Sequence, residues 1–388
     1  MISMSLTQKA INNSNPILVE TNKVLNILNI CGDIRHIICD YLTISWVSCD
    51  VECDVLTGVS NCNTEQLIQL SDNVLVAGGS TYHTINCVDN EYVSNILWTS
   101  VFAWERVCKS IRLNDTSIVC VHRSGLINLV GIENCYTICN QQVEHKDKFT
   151  KCCLLKLSDD LIAISSVLGN DYVGIYNVNL INKDFGKCVK VLECIDCTCL
   201  LKLSDGIMIS GHIDGCIKLW NINTNRNKFW NSNKFGTCLK TIKPVILYRD
   251  NNSVKIIKKV SKGVIITVTH CKSNQINFLD VDANSKQYGK CLTSIELDSR
   301  YPIQCIELIE ANVFAIGHGH EISIVRIYKN HTNGAYEITL DNIFDVCDKS
   351  LTIASITILS NNRLAITTES VNRSVNRSCD NICILSAV

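Results

Sequence analysis

Two residue types in this chain combine reactive side chains with suggestive spacing. Cysteine occurs 24 times, and Cys194 and Cys197 form the one Cys-x-x-Cys pair, with Cys199 close behind. Thiols at that spacing can hold zinc, but no second pair stands at the distance a zinc ribbon needs. The favoured reading is reduced thiols packed as small apolar residues, with zinc at Cys194, Cys197 and Cys199 left open. Histidine is the second type. His122, His212 and His318 stand nine places after a recurring aliphatic position, His270 stands one place later, and His83 and His320 fall in the same turns. These could line a pH-sensitive binding face together with Arg123 and Lys272. The residues favour the plainer reading, in which each histidine ends a strand and caps a turn by hydrogen bonding. A metal shared among them is not expected, because equivalent places in different repeats are held apart.

Other chemistry is thinly represented. There is no glycine-rich phosphate loop, no His-Glu-x-x-His and no Gly-x-Ser-x-Gly. Asp159 and Asp160, like Asp72 and Asp205, follow an apolar run and read as turn formers. No enzymatic role, cofactor or metal is therefore expected. A basic stretch, Lys255, Lys258, Lys259 and Lys262, alternates in a way that suggests a solvated strand edge. The net charge of −1 gives no reason to expect a nucleic-acid partner. No run of 18 apolar residues and no secretion signal is read, so a cytoplasmic protein with access to the nucleus, away from membranes, is expected.

The elements that must position these residues repeat. Hydrophobic residues make up 46% of the chain and charged residues 19%, a composition suited to packed β-structure. "CLLKLSDGIMISGHIDGCIKLWNI" recurs as "CLLKLSDDLIAISSVLGNDYVGIYNV" and, more weakly, five more times. The recurring aliphatic positions are Leu70, Leu113, Leu157, Leu203, Val260, Ile309 and Leu359, spaced 43 to 57 residues apart. Five places after each stands another apolar residue: Leu75, Ile118, Ile162, Met208, Ile265, Phe314 and Leu364. Such a period matches units of four strands. Within a unit, alternating apolar runs are separated by Asp, Asn, Gly and Ser. A fourth run follows in several copies: "GKCVKVL", "GTCLKTI" and "GKCLTSIEL". The longest interval carries an insertion, in which Phe229 and Trp230 with Arg226, Lys228 and Lys234 read either as a binding hot spot or as rings folded back on the sheet.

"SGHIDGCIKLWNINT" and "GTCLKTI" resemble the WD-repeat family, whose blades carry a Gly-Asp type turn, an Ile-x-Leu-Trp strand and a Gly-Lys-Cys-Leu outer strand. The resemblance covers about residues 48–388, within a domain read as 46–388. It implies an all-β, seven-bladed β-propeller of four-stranded antiparallel blades. Tyr176 and Tyr328 take the place of the tryptophan in two copies. Of the family's Asp, His, Ser/Thr and Trp network, Asp214, Ser210 and Trp220 match, and no histidine precedes the first strand. Ring closure implies a strand near residues 47–57 paired with one near 381–386.

Residues 1–45 have a different character. Ile30, Ile34, Ile38 and Leu42 fall on one face at helical spacing. With Asp33 and Tyr41 they resemble the opening helix of an F-box, although Cys31 stands where a proline is expected and two further helices have no room. An adaptor helix ahead of a propeller is the arrangement of substrate receptors in cullin-type ubiquitin ligases. The resemblance thus implies a non-enzymatic, monomeric interaction protein whose helix docks a cullin linker subunit and whose propeller binds a target. The alternative is a scaffold in which the helix merely packs. A composition rich in Asn, Ile and Cys and poor in Pro is similar to that of proteins from AT-rich genomes, including large DNA viruses and some protists.

Overall fold

The computed structural model describes residues 51–56, 66–71, 74–78, 81–88, 91–99, 107–122, 126–131, 136–142, 152–166, 172–179, 184–223, 234–243, 253–261, 263–269, 274–297, 301–310, 312–330, 336–346, 351–359, 363–370 and 382–387. The segment 1–45, read as helical and F-box-like, lies outside them.

The described chain begins with β1 (Val51–Leu56). Six consecutive hairpin-connected units follow. The first is β2 (Gln66–Ser71), β3 (Val74–Gly78), β4 (Thr81–Val88) and β5 (Glu91–Thr99). Next come β6 (Val107–Asn114), β7 (Ser117–His122), β8 (Leu126–Gly131) and β9 (Tyr136–Gln142), then β10 (Cys152–Lys156), β11 (Leu161–Ser166), β12 (Tyr172–Asn177) and β13 (Cys188–Glu193). The fourth is β14 (Cys197–Ser204), β15 (Ile207–His212), β16 (Ile217–Asn221) and β17 (Cys238–Ile242). The fifth is β18 (Val254–Ser261), β19 (Val264–Thr269), β20 (Gln275–Asp280) and β21 (Cys291–Glu296). The sixth is β22 (Ile303–Glu310), β23 (Val313–His318), β24 (Glu321–Lys329) and β25 (Tyr336–Asp345). β26 (Leu351–Ile358), β27 (Leu364–Ser370) and β28 (Ile382–Ala387) end the chain.

Among the described residues these strands form seven four-stranded antiparallel sheets. Six are built from consecutive strands. The last has the order β1-β28-β27-β26, with Val51 opposite Ala387 and Leu56 opposite Ile382. The first strands of successive sheets pack in sequence, β2 on β6, β6 on β10, β10 on β14, β14 on β18, β18 on β22 and β22 on β26, and β26 packs back on β2. The sheets therefore close into a ring.

Strand composition follows position. Second strands lie between neighbouring sheets on both faces, so β7 and β23 are buried at every residue and read as unbroken apolar runs. Outer strands such as β17 are exposed along most of their length. Leu75, Ile118, Ile162, Met208, Ile265, Phe314 and Leu364 are all buried. All but Leu75 join clusters that fill the seams between adjacent sheets, for example Met208 with Leu157 and Trp220, and burying a side chain of this size contributes about 1.5–3 kcal/mol.

The turns leading to the fourth strand repeat atom for atom in three sheets. Asn177, Asn221 and Asp280 each accept the backbone N–H two residues on, at 2.8, 3.0 and 2.9 Å. Gly186, Gly236 and Gly289, all at positive φ, donate back to the carbonyls of those same residues. The aromatic before each glycine, Phe185, Phe235 or Tyr288, joins a hydrophobic cluster between sheets.

Candidate functional site

The three equivalently placed histidines are the last residues of β7, β15 and β23. His122, His212 and His318 are 0%, 2% and 1% exposed, so none offers its ring to solvent. Each is held by a different neighbour. His122 Nε2 lies 3.0 Å from Asn128 Nδ2, His212 Nε2 lies 2.9 Å from Ser210 Oγ, and His318 Nε2 lies 2.6 Å from Ser323 Oγ.

The fourth sheet holds the most connected of these networks. Trp220 Nε1 donates to Ser210 Oγ at 2.8 Å, and His212 Nδ1 lies 2.7 Å from the Ile195 carbonyl. Cys194 Sγ sits 3.5 Å from Ser210 Oγ and 3.7 Å from His212 Nε2. Cys194 precedes β14, the place where the sequence lacks a histidine, and it completes the network with a thiol. Hydrogen bonding from Cys197 and the adjacent His212 hold Cys194 down at about 5 against the opposing effect of burial, while the same contact pushes Cys197 well up. Burial lowers His212, but its bond to Cys194, the charge there and the Ile195 carbonyl outweigh that and raise it. The turn that follows is set by Asp214, whose Oδ1 accepts the Cys216 N–H at 2.9 Å, and by Gly215 at φ 81°.

The thiols of Cys194, Cys197 and Cys199 do not converge as a zinc set would. Cys199 Sγ is directed at the Val254 carbonyl, 3.6 Å away in the next sheet, while Cys197 and Cys194 are fully buried. Among the described residues, one group brings three metal-capable side chains together: His320, Glu321 and Asp345 in the sixth sheet. His320 Nε2 lies 3.5 Å from Asp345 Oδ1 and 3.8 Å from Glu321 Oε1. The second Glu321 oxygen lies 3.5 Å from His318 Nδ1. Burial lowers His318, partly offset by Glu321.

At the other end of the sheets, where the first strand turns into the second, a row of cations emerges that the sequence did not suggest. Arg112, Lys156 and Lys259 reach back to carbonyls of the preceding first strand, those of Gln69, Leu113 and Leu203. Arg112, Lys156 and Lys202 each also pair with the acid three residues on, Asp115, Asp159 or Asp205. The expectation of a solvated edge holds for Lys259, which is exposed, and is corrected for Lys255 and Lys258, while Lys262 lies outside the described residues. Lys255 binds the Ile303 carbonyl and Gln304, and Lys258 pairs with Glu307 at 2.5 Å, because this first strand lies against that of the next sheet.

Tyr328 is also corrected. The partner of Phe314 across the sheet is Val325, the counterpart of Trp220 opposite Met208. The β23–β24 turn is tight, with His318 opposite Glu321, and Tyr328 lies farther along β24 at 38% exposure, bonded to Glu337. Tyr176, opposite Ile162, does occupy the tryptophan's place. Ile30, Asp33, Ile34, Ile38, Tyr41, Leu42, Arg123, Phe229, Trp230, His270 and Lys272 lie outside the described residues.

No family model matches the sequence, and no curated protein matches it either. Solved structures do. The crystal structure of the WD40 β-propeller domain of Doa1 aligns with a TM-score of 0.59 at 15% identity, covering 86% of this chain and 96% of that one. A chain of the crystal structure of the mitotic checkpoint complex aligns with a TM-score of 0.62 at 12% identity, covering 88% and 96%. At these identities the likeness establishes the fold, a β-propeller of the WD40 type.

Proposed function

We propose that this chain is a seven-bladed protein-interaction module, and that it serves as a substrate receptor of a cullin-type ubiquitin ligase. In this reading the apolar face of Ile30, Ile34, Ile38 and Leu42, with Asp33 and Tyr41, docks the linker subunit, and the propeller presents a target protein. The observation that carries the reading is the position of β1. It is the outer strand of its sheet, so the chain ahead of Val51 joins the ring at its rim and is tethered beside it. A helix attached there can engage one protein while both ends of the ring stay open to another. The family resemblance of the residues from Ile30 to Leu42 supplies the partner class; fold alone does not.

The test is a binding assay between full-length protein and a purified cullin linker subunit, with Ile38→Asp and Leu42→Asp as comparisons and circular dichroism to establish folding. Retention by the wild type and loss in both folded variants is the expected result. If the wild type does not bind the linker, the ligase role falls and the scaffold reading takes its place.

A further inference from the structure

The β23–β24 turn and the end of β25 form an arrangement that neither the repeat nor the interaction role requires. Glu321 and Asp345 face one another in register across the sheet. Like charges directly opposite on neighbouring strands are destabilising, and here the imidazole of His320 lies between them.

The turn that carries His320 and Glu321 is held from outside the group. Gly319 has φ 57°, and a Cβ there would come within 2.5 Å of Tyr301, so the turn is pressed against that ring. His320 is buried and meets Tyr301 edge to face at 5.2 Å. Val346 N–H donates to the His320 carbonyl at 3.0 Å, which brings the end of β25 to the turn. The second oxygen of Glu321 lies 3.5 Å from Nδ1 of His318, itself bound to Ser323.

The ligand atoms of His320, Glu321 and Asp345 all lie within 4.8 Å of one another. Tetrahedral zinc with bonds of about 2.0–2.2 Å sets its ligand atoms roughly 3.3–3.6 Å apart, so small side-chain movements suffice to converge. One imidazole with two carboxylates suits a zinc-class divalent cation better than magnesium or calcium, which favour all-oxygen sets. Asp345, with its side chain 71% exposed, leaves an entry path and room for water ligands.

We propose that His320, Glu321 and Asp345 bind a zinc-class divalent cation that fastens the β23–β24 turn to the end of β25. The test is titration of the metal-free full-length chain with Co²⁺ and then Zn²⁺. Cobalt at this site gives visible ligand-field absorption without thiolate charge transfer, which separates it from any site made by the 24 cysteines. Asp345→Asn and Glu321→Gln, both at the sheet surface, lower the affinity roughly tenfold or more, and circular dichroism reports whether they fold as wild type does. A wild type that shows no such absorption, or only thiolate charge transfer, overturns the proposal. So do folded variants that bind Co²⁺ and Zn²⁺ as tightly as wild type.

Discussion

Ser210→Ala tests whether the fourth sheet is held by its polar network or only by apolar packing. Ser210 is fully buried, and its hydroxyl serves both the Trp220 indole N–H at 2.8 Å and the His212 Nε2 at 2.9 Å. Alanine removes that hydroxyl and leaves both groups without this partner. His212 Nε2 keeps Cys194 Sγ at 3.7 Å, whereas the buried indole N–H is orphaned, and such a group costs about 1–3 kcal/mol. That is a large part of the roughly 5–15 kcal/mol of a typical domain. Trp220→Phe removes the indole N–H itself and leaves the serine free to serve the histidine. In the double variant the orphaned indole N–H no longer exists, so its cost falls short of the sum of the single costs by about 1–3 kcal/mol. Urea unfolding followed by far-ultraviolet circular dichroism measures all four corners of the cycle. A Ser210→Ala cost under about 1 kcal/mol, or single costs that simply add, would refute the reasoning.

Other perturbations probe the seams, a buried acid and ring closure. Gly317→Ala places a methyl group 2.7 Å from Cys305 Sγ and 2.8 Å from Ile353 Cγ2, an overpacking that costs about 1–3 kcal/mol; thermal unfolding should show the loss, and adding Cys305→Ala should recover part of it. Burial pushes the Glu310 carboxyl up to about 7, against the lowering effect of Arg326, and its Oε2 makes no hydrogen bond among the described residues. Because the folded state holds this proton more tightly than the unfolded chain, stability declines as pH rises from about 4.5 to about 7. Glu310→Gln should flatten that part of the stability curve and raise the melting temperature at pH 8, and an unchanged profile would count against the buried-acid account. Proline at both Cys53 and Asp54 removes an inward-facing N–H from β1 whichever way the ladder alternates. Size-exclusion chromatography and limited proteolysis should then report association and cleavage, as expected of an exposed β28 edge.

The repeat was readable because burial on both faces of the second strands leaves an unbroken apolar signature, and Leu75 through Leu364 carry it in every copy. The pairing of the N-terminal and C-terminal strands followed from the open edge that the sheet order would otherwise leave. The polar networks were only half visible. Histidine recurs at a fixed place, but its partners Asn128, Ser210 and Ser323 come from different strands, and only coordinates show that all three rings are buried. Cys194 stood out only as a possible zinc thiol, because a thiol in a cysteine-rich chain does not announce that it substitutes for an imidazole. The tight β23–β24 turn, with His318 opposite Glu321, puts Val325 and not Tyr328 across from Phe314, and spacing from the recurring aliphatic position does not register a shortened turn. Asp345 is remote in sequence from His320 and meets it only through the register of β24 with β25. The cation row was hidden for a related reason, since carbonyl acceptors on a neighbouring strand leave no trace in side-chain identity.

The β1–β28 pairing makes the two ends of the described chain a mechanical couple. Tension on the segment ahead of Val51 acts on the closing strand before it reaches any other, so a processive unfoldase that grips that segment would pull the latch first. Once β1 is peeled away, the sheet of β26, β27 and β28 loses its outer member and bares the β28 edge, and the packing of β26 on β2 is left to hold the ring closed. A partner that binds ahead of β1 without pulling loads nothing. The same covalent route thus serves attachment and disassembly, and the direction of force decides which.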